Sequence, residues 1–177
     1  MAGGKTKPKV PPRKQIELEP GQKGSWNKKL NGKLEPNTDY KVGNKIYKTD
    51  ELGRVKRVTG ELKLNKHDRN YYQQGKAGKA DGIKDGKVHD DGGHLISSRH
   101  DGAGEQINYV PMNSNLNRGE WKKMENKWNN ALKEGKKVEI DIQPIYKGNS
   151  NRPEVFSVKY WVDGKKKTAF FENKPGG

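Results

Sequence analysis

The chain has 177 residues, with 37 Lys and Arg against 22 Asp and Glu, a formal net charge of +15. Leu, Ile, Val and Phe make up only about 17% of it, which at this charge points on average to disorder. With no cysteine, disulfides and Cys-based zinc sites are excluded. No apolar run approaches the ~18 to 20 residues of a membrane span, and residues 1–30 hold no apolar stretch of signal-peptide type. An excess of positive charge on a chain of this size favours a polyanionic partner, nucleic acid before an anionic membrane surface, because no segment joins a basic face to a strongly apolar one. An acidic inhibitor protein would be drawn by the same field.

Taken along the chain, the composition is uneven. Residues 1–36 hold five of the nine prolines and many lysines, with only scattered apolar side chains. Such a stretch reads as a flexible basic linker, with Trp26 as a docking anchor, and 37–177 as the folded domain. From Thr38 the pattern alternates: strands are expected near 39–42, 45–49 and 54–64, joined by Gly43-Asn44 and by Asp50-Glu51-Leu52-Gly53. A short helix over 68–74 would take Asp68 as its N-cap. Residues 75–93, rich in Gly, Lys and Asp, read as an irregular loop. Short strands are expected at 94–98 and 107–110.

The clearest element is an amphipathic helix over about 116–134. Trp121, Met124, Trp128, Ala131 and Leu132 share one face, Ser114 or Asn115 can cap the start, and Gly135 with two lysines suits the end. Three strands follow, over 138–146, 155–162 and 167–171, with Asp163-Gly164 as a hairpin turn. The aromatic residues are assigned to core and strand faces, leaving little sign of a stacking platform for single strands.

Two segments carry chemistry. Asp90-Asp91-Gly92-Gly93-His94 delivers a histidine through a glycine-rich turn into an apolar stretch. An imidazole with an ordinary pKa near ~6.5 is mostly neutral at pH 7 and can accept a proton from water. The same pattern also suits a core histidine beside a turn. His67, His89 and His100 complete the set, but their spacings do not favour a histidine zinc site. The second segment, from Asn108 to Glu125, crowds side-chain amides onto the start of the helix. A carboxamide oxygen from Asn117 suits an Mg²⁺ ion that keeps most of its waters, although asparagines at helix starts also serve as plain caps. Glu125, about 80° around the helix and two turns on, could reach the same ion through water.

Together these segments resemble the DNA/RNA non-specific endonucleases, a family of ββα-metal (His-Me finger) nucleases. The first family signature, Asp-Arg-Gly-His, aligns with Asp91-Gly92-Gly93-His94. The second aligns with Asn108-Tyr109-Val110-Pro111-Met112, then Asn117-Arg118-Gly119-Glu120-Trp121, then Glu125. The resemblance implies an α+β fold: a ββα-metal core with an antiparallel sheet and one main helix. It implies His94 as general base, Asn117 as direct ligand of one Mg²⁺ or Mn²⁺, Glu125 bound through water, and Asn108 steadying the scissile region or the catalytic loop. The substrate would be DNA or RNA. A backbone carbonyl is expected to fix the His94 tautomer.

More closely, the segments resemble the C-terminal nuclease domains of bacterial polymorphic toxins, of Rhs or type VII kind, with Ala2-Gly3-Gly4 similar to the chain after an Rhs cleavage motif. This implies a delivered effector acting in a target-cell cytoplasm, with a cognate immunity protein, as a monomer or paired with that inhibitor. The motif arginine is missing at Gly92, and Arg69, Arg99 and Arg118 are the candidates to replace its phosphate contact. A non-catalytic basic nucleic-acid-binding module and a structural toxin-tip domain are the alternative readings.

Overall fold

The alternating segments after Thr38 form the centre of a large sheet in a computed structural model, which describes residues 12–177. In chain order the elements are β1 (Lys14–Leu18), β2 (Thr38–Val42), β3 (Lys45–Thr49), β4 (Val55–Leu62), α1 (Tyr71–Gly78), β5 (Asp90–His94), β6 (Tyr109–Asn113), α2 (Ser114–Arg118), α3 (Glu120–Lys133), β7 (Val138–Tyr146), β8 (Pro153–Val162) and β9 (Lys165–Glu172). Seven strands form one sheet in the order β1-β2-β3-β4-β7-β8-β9, and β5 and β6 pair separately. Every pairing is antiparallel except that of β1 with β2.

The apolar stripe of α3 covers one face of the large sheet. Trp121 packs with ring centroids 5.1 Å from Phe156 and 5.5 Å from Phe171, and Trp128 lies 5.4 Å from Tyr160. Val58, Ile140, Ile142 and Val158 are buried in the same core. The Asp163-Gly164 turn joins β8 to β9 with Val162 paired to Lys165; both turn residues have positive φ, as a two-residue hairpin loop with the sheet's own twist requires.

Several expectations are corrected. Residues 12–36, read as part of a flexible linker, are tied into the domain. β1 pairs in register with β2, from Lys14 against Thr38 to Leu18 against Val42. Arg13 donates to Asp39 at 2.6 Å and to the carbonyls of Thr38 and Thr49, and Leu30 and Leu34 are buried. Trp26 sits beside His67, with ring centroids 6.4 Å apart. Residues 1–11, including Ala2-Gly3-Gly4, lie outside the described residues.

The first helix is capped by Asn70 instead of Asp68: the Asn70 side chain accepts from the Gln73 amide, while Asp68 accepts from the Lys23 amide. It runs on to Gly78, into the segment read as loop. The glycine-rich turn before His94 is itself the strand β5, and residues 95–98 leave the strand. The single helix expected over 116–134 is broken at Gly119, with φ −107° and ψ −106°, and its first part is capped by Asn113, not by Ser114 or Asn115.

Candidate active site

The paired strands β5 and β6, with α2 and α3 leading away from them, bring the motif residues to one cleft. Its volume is about 990 Å³, and it is lined by His94, Asn117 and Glu125 together with Arg69, Arg99 and Arg118. The first three residues proposed for catalysis and metal binding and all three candidate arginines thus share one space. Asn108 does not line it.

His94 closes β5. Its Nε2 lies 2.9 Å from Oε2 of Glu125, a residue that is only 4% exposed. A carboxylate can only accept, so this contact places the ring proton on Nε2 and leaves the Nδ1 lone pair free. Nδ1 has no hydrogen-bond partner among the described residues and is not sealed from solvent. The tautomer is therefore set by Glu125, not by the backbone carbonyl expected. Glu125 was expected to hold a metal-bound water. In this arrangement one of its oxygens is engaged by His94, and Oε1 accepts no hydrogen bond among the described residues.

Asn117 lies on α2, before the break at Gly119. Its Nδ2 donates to Oδ2 of Asp91 at 3.0 Å, which fixes the amide and leaves Oδ1 without a donor among the described residues. Asp91 also accepts twice from Arg118, at 2.9 Å and 2.8 Å. Asp91 is thus a common anchor for the two motif neighbours. Its place in the first signature was visible in the sequence, but this role was not. The preceding residue, Asp90, also borders the cleft, but its carboxylate accepts from Arg152 at 2.7 Å and 3.0 Å, a pair that ties β5 to the start of β8.

Asn108 is buried and fully committed. Its Oδ1 accepts from the Ile96 amide and the Tyr47 hydroxyl, and its Nδ2 donates to the carbonyls of Ile96 and Ala103. All four hydrogen-bonding positions of the amide are used, so it holds the loop after His94 and has none left for a substrate. Burial pushes the Tyr47 phenol well above its ordinary range, keeping it a donor to Asn108. Of the remaining histidines, His100 is buried with its Nε2 3.2 Å from Oδ1 of Asn129, and burial lowers its pKa. His67 Nε2 lies 2.7 Å from the Gly21 carbonyl, and His89 is exposed at the cleft.

Gly92 explains the missing motif arginine. A Cβ there would lie 1.7 Å from the backbone oxygen of Gln74 on α1. One on Gly78 would lie 2.3 Å from the Gly92 nitrogen. The helix and the strand meet backbone to backbone, and no side chain fits at position 92. Cations reach the cleft from elsewhere: besides the three arginines, Lys79, Lys87 and Lys122 line it.

The donor set fits a hard divalent cation that retains most of its waters. Asn117 Oδ1 and Glu125 Oε1 are uncommitted oxygens on the same cleft. Among the described residues no group of three or more His, Asp or Glu side chains forms an all-protein cage. Nor, among them, is any helix long and apolar enough to cross a membrane.

Comparison with known proteins bears on the family and the fold. The model of the DNA/RNA non-specific endonuclease family matches residues 36–164. The chain is 36% identical over 150 residues to the type VII secretion system protein EssD of Staphylococcus aureus strain USA300, and equally to that of strain NCTC 8325. These alignments cover 80% of this chain and 24% of EssD, so the chain spans about a quarter of the length of the curated relatives it matches. Among solved structures, NucA from Streptococcus agalactiae is similar in fold at 14% identity. The metal-free form gives a TM-score of 0.57 over 83% of this chain and 75% of NucA. The magnesium-bound form gives 0.58 over 81% and 76%.

Proposed function

The chain belongs to the DNA/RNA non-specific endonuclease family, and from that premise we propose that it is an endonuclease, a metal-dependent nuclease toxin domain that hydrolyses phosphodiester bonds with His94 as general base. The observation that carries the reading is the His94–Glu125 contact of 2.9 Å at a cleft shared with Asn117 and three arginines.

The chemistry follows from the positions of the side chains. Glu125 accepts from Nε2 of His94 and orients the ring, so that Nδ1 can take a proton from the attacking water. As the imidazolium forms, the carboxylate offsets its charge. Asn117, held by Asp91, would bind one Mg²⁺ or Mn²⁺ ion through Oδ1, with Glu125 reaching it through water. When bound, such an ion supplies positive charge to the phosphoryl group and the leaving oxygen. Arg118, tied to Asp91, offers cationic hydrogen bonds to phosphate in place of the motif arginine, with Arg69 and Arg99 further along the cleft. Contacts of this kind are made to the backbone of the substrate. Binding of DNA or RNA is therefore weakly selective in sequence and weakens with salt.

The similarity to EssD supports secretion by a type VII route, and it favours that route over the Rhs delivery suggested by Ala2-Gly3-Gly4. A cell that carries such a nuclease needs an inhibitor, and an acidic immunity protein would be steered to this basic surface. The direct test of the base is His94→Ala. The variant is expected to retain DNA in a gel-shift assay and to lose cleavage; near-normal turnover would remove His94 from the role.

A further inference from the structure

Part of the cleft wall is α1, through Tyr71, Gln74, Gly75 and Gly78. Its place is fixed by the backbone contact of Gly78 with Asp91 and Gly92. The helix opens with two adjacent tyrosines, Tyr71 and Tyr72, which are 73% and 71% exposed. Most other aromatic side chains of the described residues are buried or half-buried, as core rings should be. Tyr71 lines the same cleft as His94 and Asn117. Each tyrosine also has a cation over one face of its ring: Arg69 lies 5.6 Å from the centre of Tyr71, and Lys76 5.3 Å from that of Tyr72.

Two exposed rings on a rigid wall, each next to a positive charge, match what a nucleic-acid strand presents repeatedly. An aromatic face stacks on a base, and the neighbouring cation meets the phosphate attached to it. In an intact duplex both faces of a base are covered by its neighbours. The ring can therefore stack only on a base that is unpaired or unstacked. We propose that Tyr71, with Tyr72 and Arg69 beside it, is a nucleobase-stacking subsite on the cleft wall, through which the chain takes single-stranded or locally unpaired nucleic acid in preference to intact duplex. This inference rests on the nuclease reading above and specifies its substrate.

The test uses the full chain carrying His94→Ala, so that substrate survives the measurement. Fluorescence anisotropy is read with a single-stranded DNA oligonucleotide, the RNA of the same sequence, and the blunt DNA duplex, all at one salt concentration. Adding Tyr71→Ala is expected to weaken binding of a single strand about tenfold, the equivalent of ~1.4 kcal/mol, and to weaken duplex binding at least threefold less. The single strand that loses more identifies which polymer supplies the base. Tyr71→Phe, which keeps the ring, is expected to restore the affinity. Because the ring is exposed, the melting temperature of Tyr71→Ala should match that of its parent. Equal losses on single strand and duplex, or none, would overturn the proposal. Failure of the nuclease reading is seen separately, as absence of cleavage by the unmutated chain with Mg²⁺.

Discussion

Gly92→Ala perturbs the contact that most distinguishes this cleft. The added Cβ would stand 1.7 Å from the Gln74 oxygen, 2.6 Å from its carbonyl carbon and 3.1 Å from its Cα. All three atoms are backbone, so no rotamer change relieves the overlap, and α1 must shift away from β5. Overpacking of a tight contact costs about 1 to 3 kcal/mol, and a clash with backbone belongs at the upper end, ~3 kcal/mol. For a chain of this size each kcal/mol lowers Tm by about 2 to 4 °C, so a fall of roughly 6 to 12 °C is expected. Gly78→Ala, which meets the same contact from the other side, should fall similarly. The double variant should lose less than the sum, because one displacement of α1 relieves both. Gly75→Ala is the control: it lies on α1 with nothing within 4 Å of the new Cβ, and should melt at or slightly above the parent. Thermal unfolding followed by circular dichroism measures all four. A Gly92→Ala chain that melts within ~1 °C of the parent would mean that the contact of α1 with β5 accepts a side chain at position 92.

Three further outcomes follow from the geometry. Asn108→Ala strips partners from Ile96, Ala103 and Tyr47 at once and is expected to cost about 3 kcal/mol or more in urea unfolding. A loss under ~1 kcal/mol would contradict its role as the clasp of the catalytic loop. Asn117→Ala removes no cap, since Asn113 holds that place, so its melting temperature should stay near the parent while the Mg²⁺ concentration needed for half-maximal cleavage rises at least about tenfold. An unchanged metal requirement would dismiss Asn117 as the ligand. Lys84 donates to the carbonyls of Gln106 and Tyr109, and burial lowers its pKa from 10.5 to about 7. The folded chain then binds this proton more weakly than the unfolded chain. The Lys84 contribution to unfolding free energy should therefore rise with pH from about 7 to about 10.5 and be flat outside that window. Lys84→Met should flatten that rise in denaturant titrations across the same range; an identical slope in the variant would exclude Lys84 as its source.

Periodicity made the sheet and α3 legible, because buried positions there recur every second or roughly every third to fourth residue. Strand β7 lies where its alternation placed it, over Val138–Tyr146. The N-terminal segment was illegible for the opposite reason. Ile16, Leu18, Leu30 and Leu34 are scattered among Lys and Pro, and each finds its place only by pairing or packing with residues far along the chain. In the cleft, motif spacing located His94, Asn117 and Glu125. It could not show that Glu125 meets His94, because the break at Gly119 separates α2 from α3 and undoes any angle counted along one helix. Asn108 was placed between two roles, and only the count of its hydrogen bonds assigns it to the loop. The missing arginine at position 92 stood in the sequence as one lost phosphate contact. The close approach of α1 gives it a steric cause. The stacking surface escaped notice because exposure of Tyr71 and Tyr72 depends on which way a short helix lies, and eight residues carry too little pattern to say.

The reaction proposed for this cleft is hydrolysis of nucleic acid with a metal ion and His94. Supercoiled plasmid incubated with the purified chain and Mg²⁺ tests it most directly, with EDTA added to a parallel sample. Nicked, then linear, then shortened DNA is expected in the first sample and intact supercoiled plasmid in the second. A chain that retards the plasmid in a gel at low salt yet never shortens it, under any of Mg²⁺, Mn²⁺ or EDTA, would be a basic binding module and no nuclease.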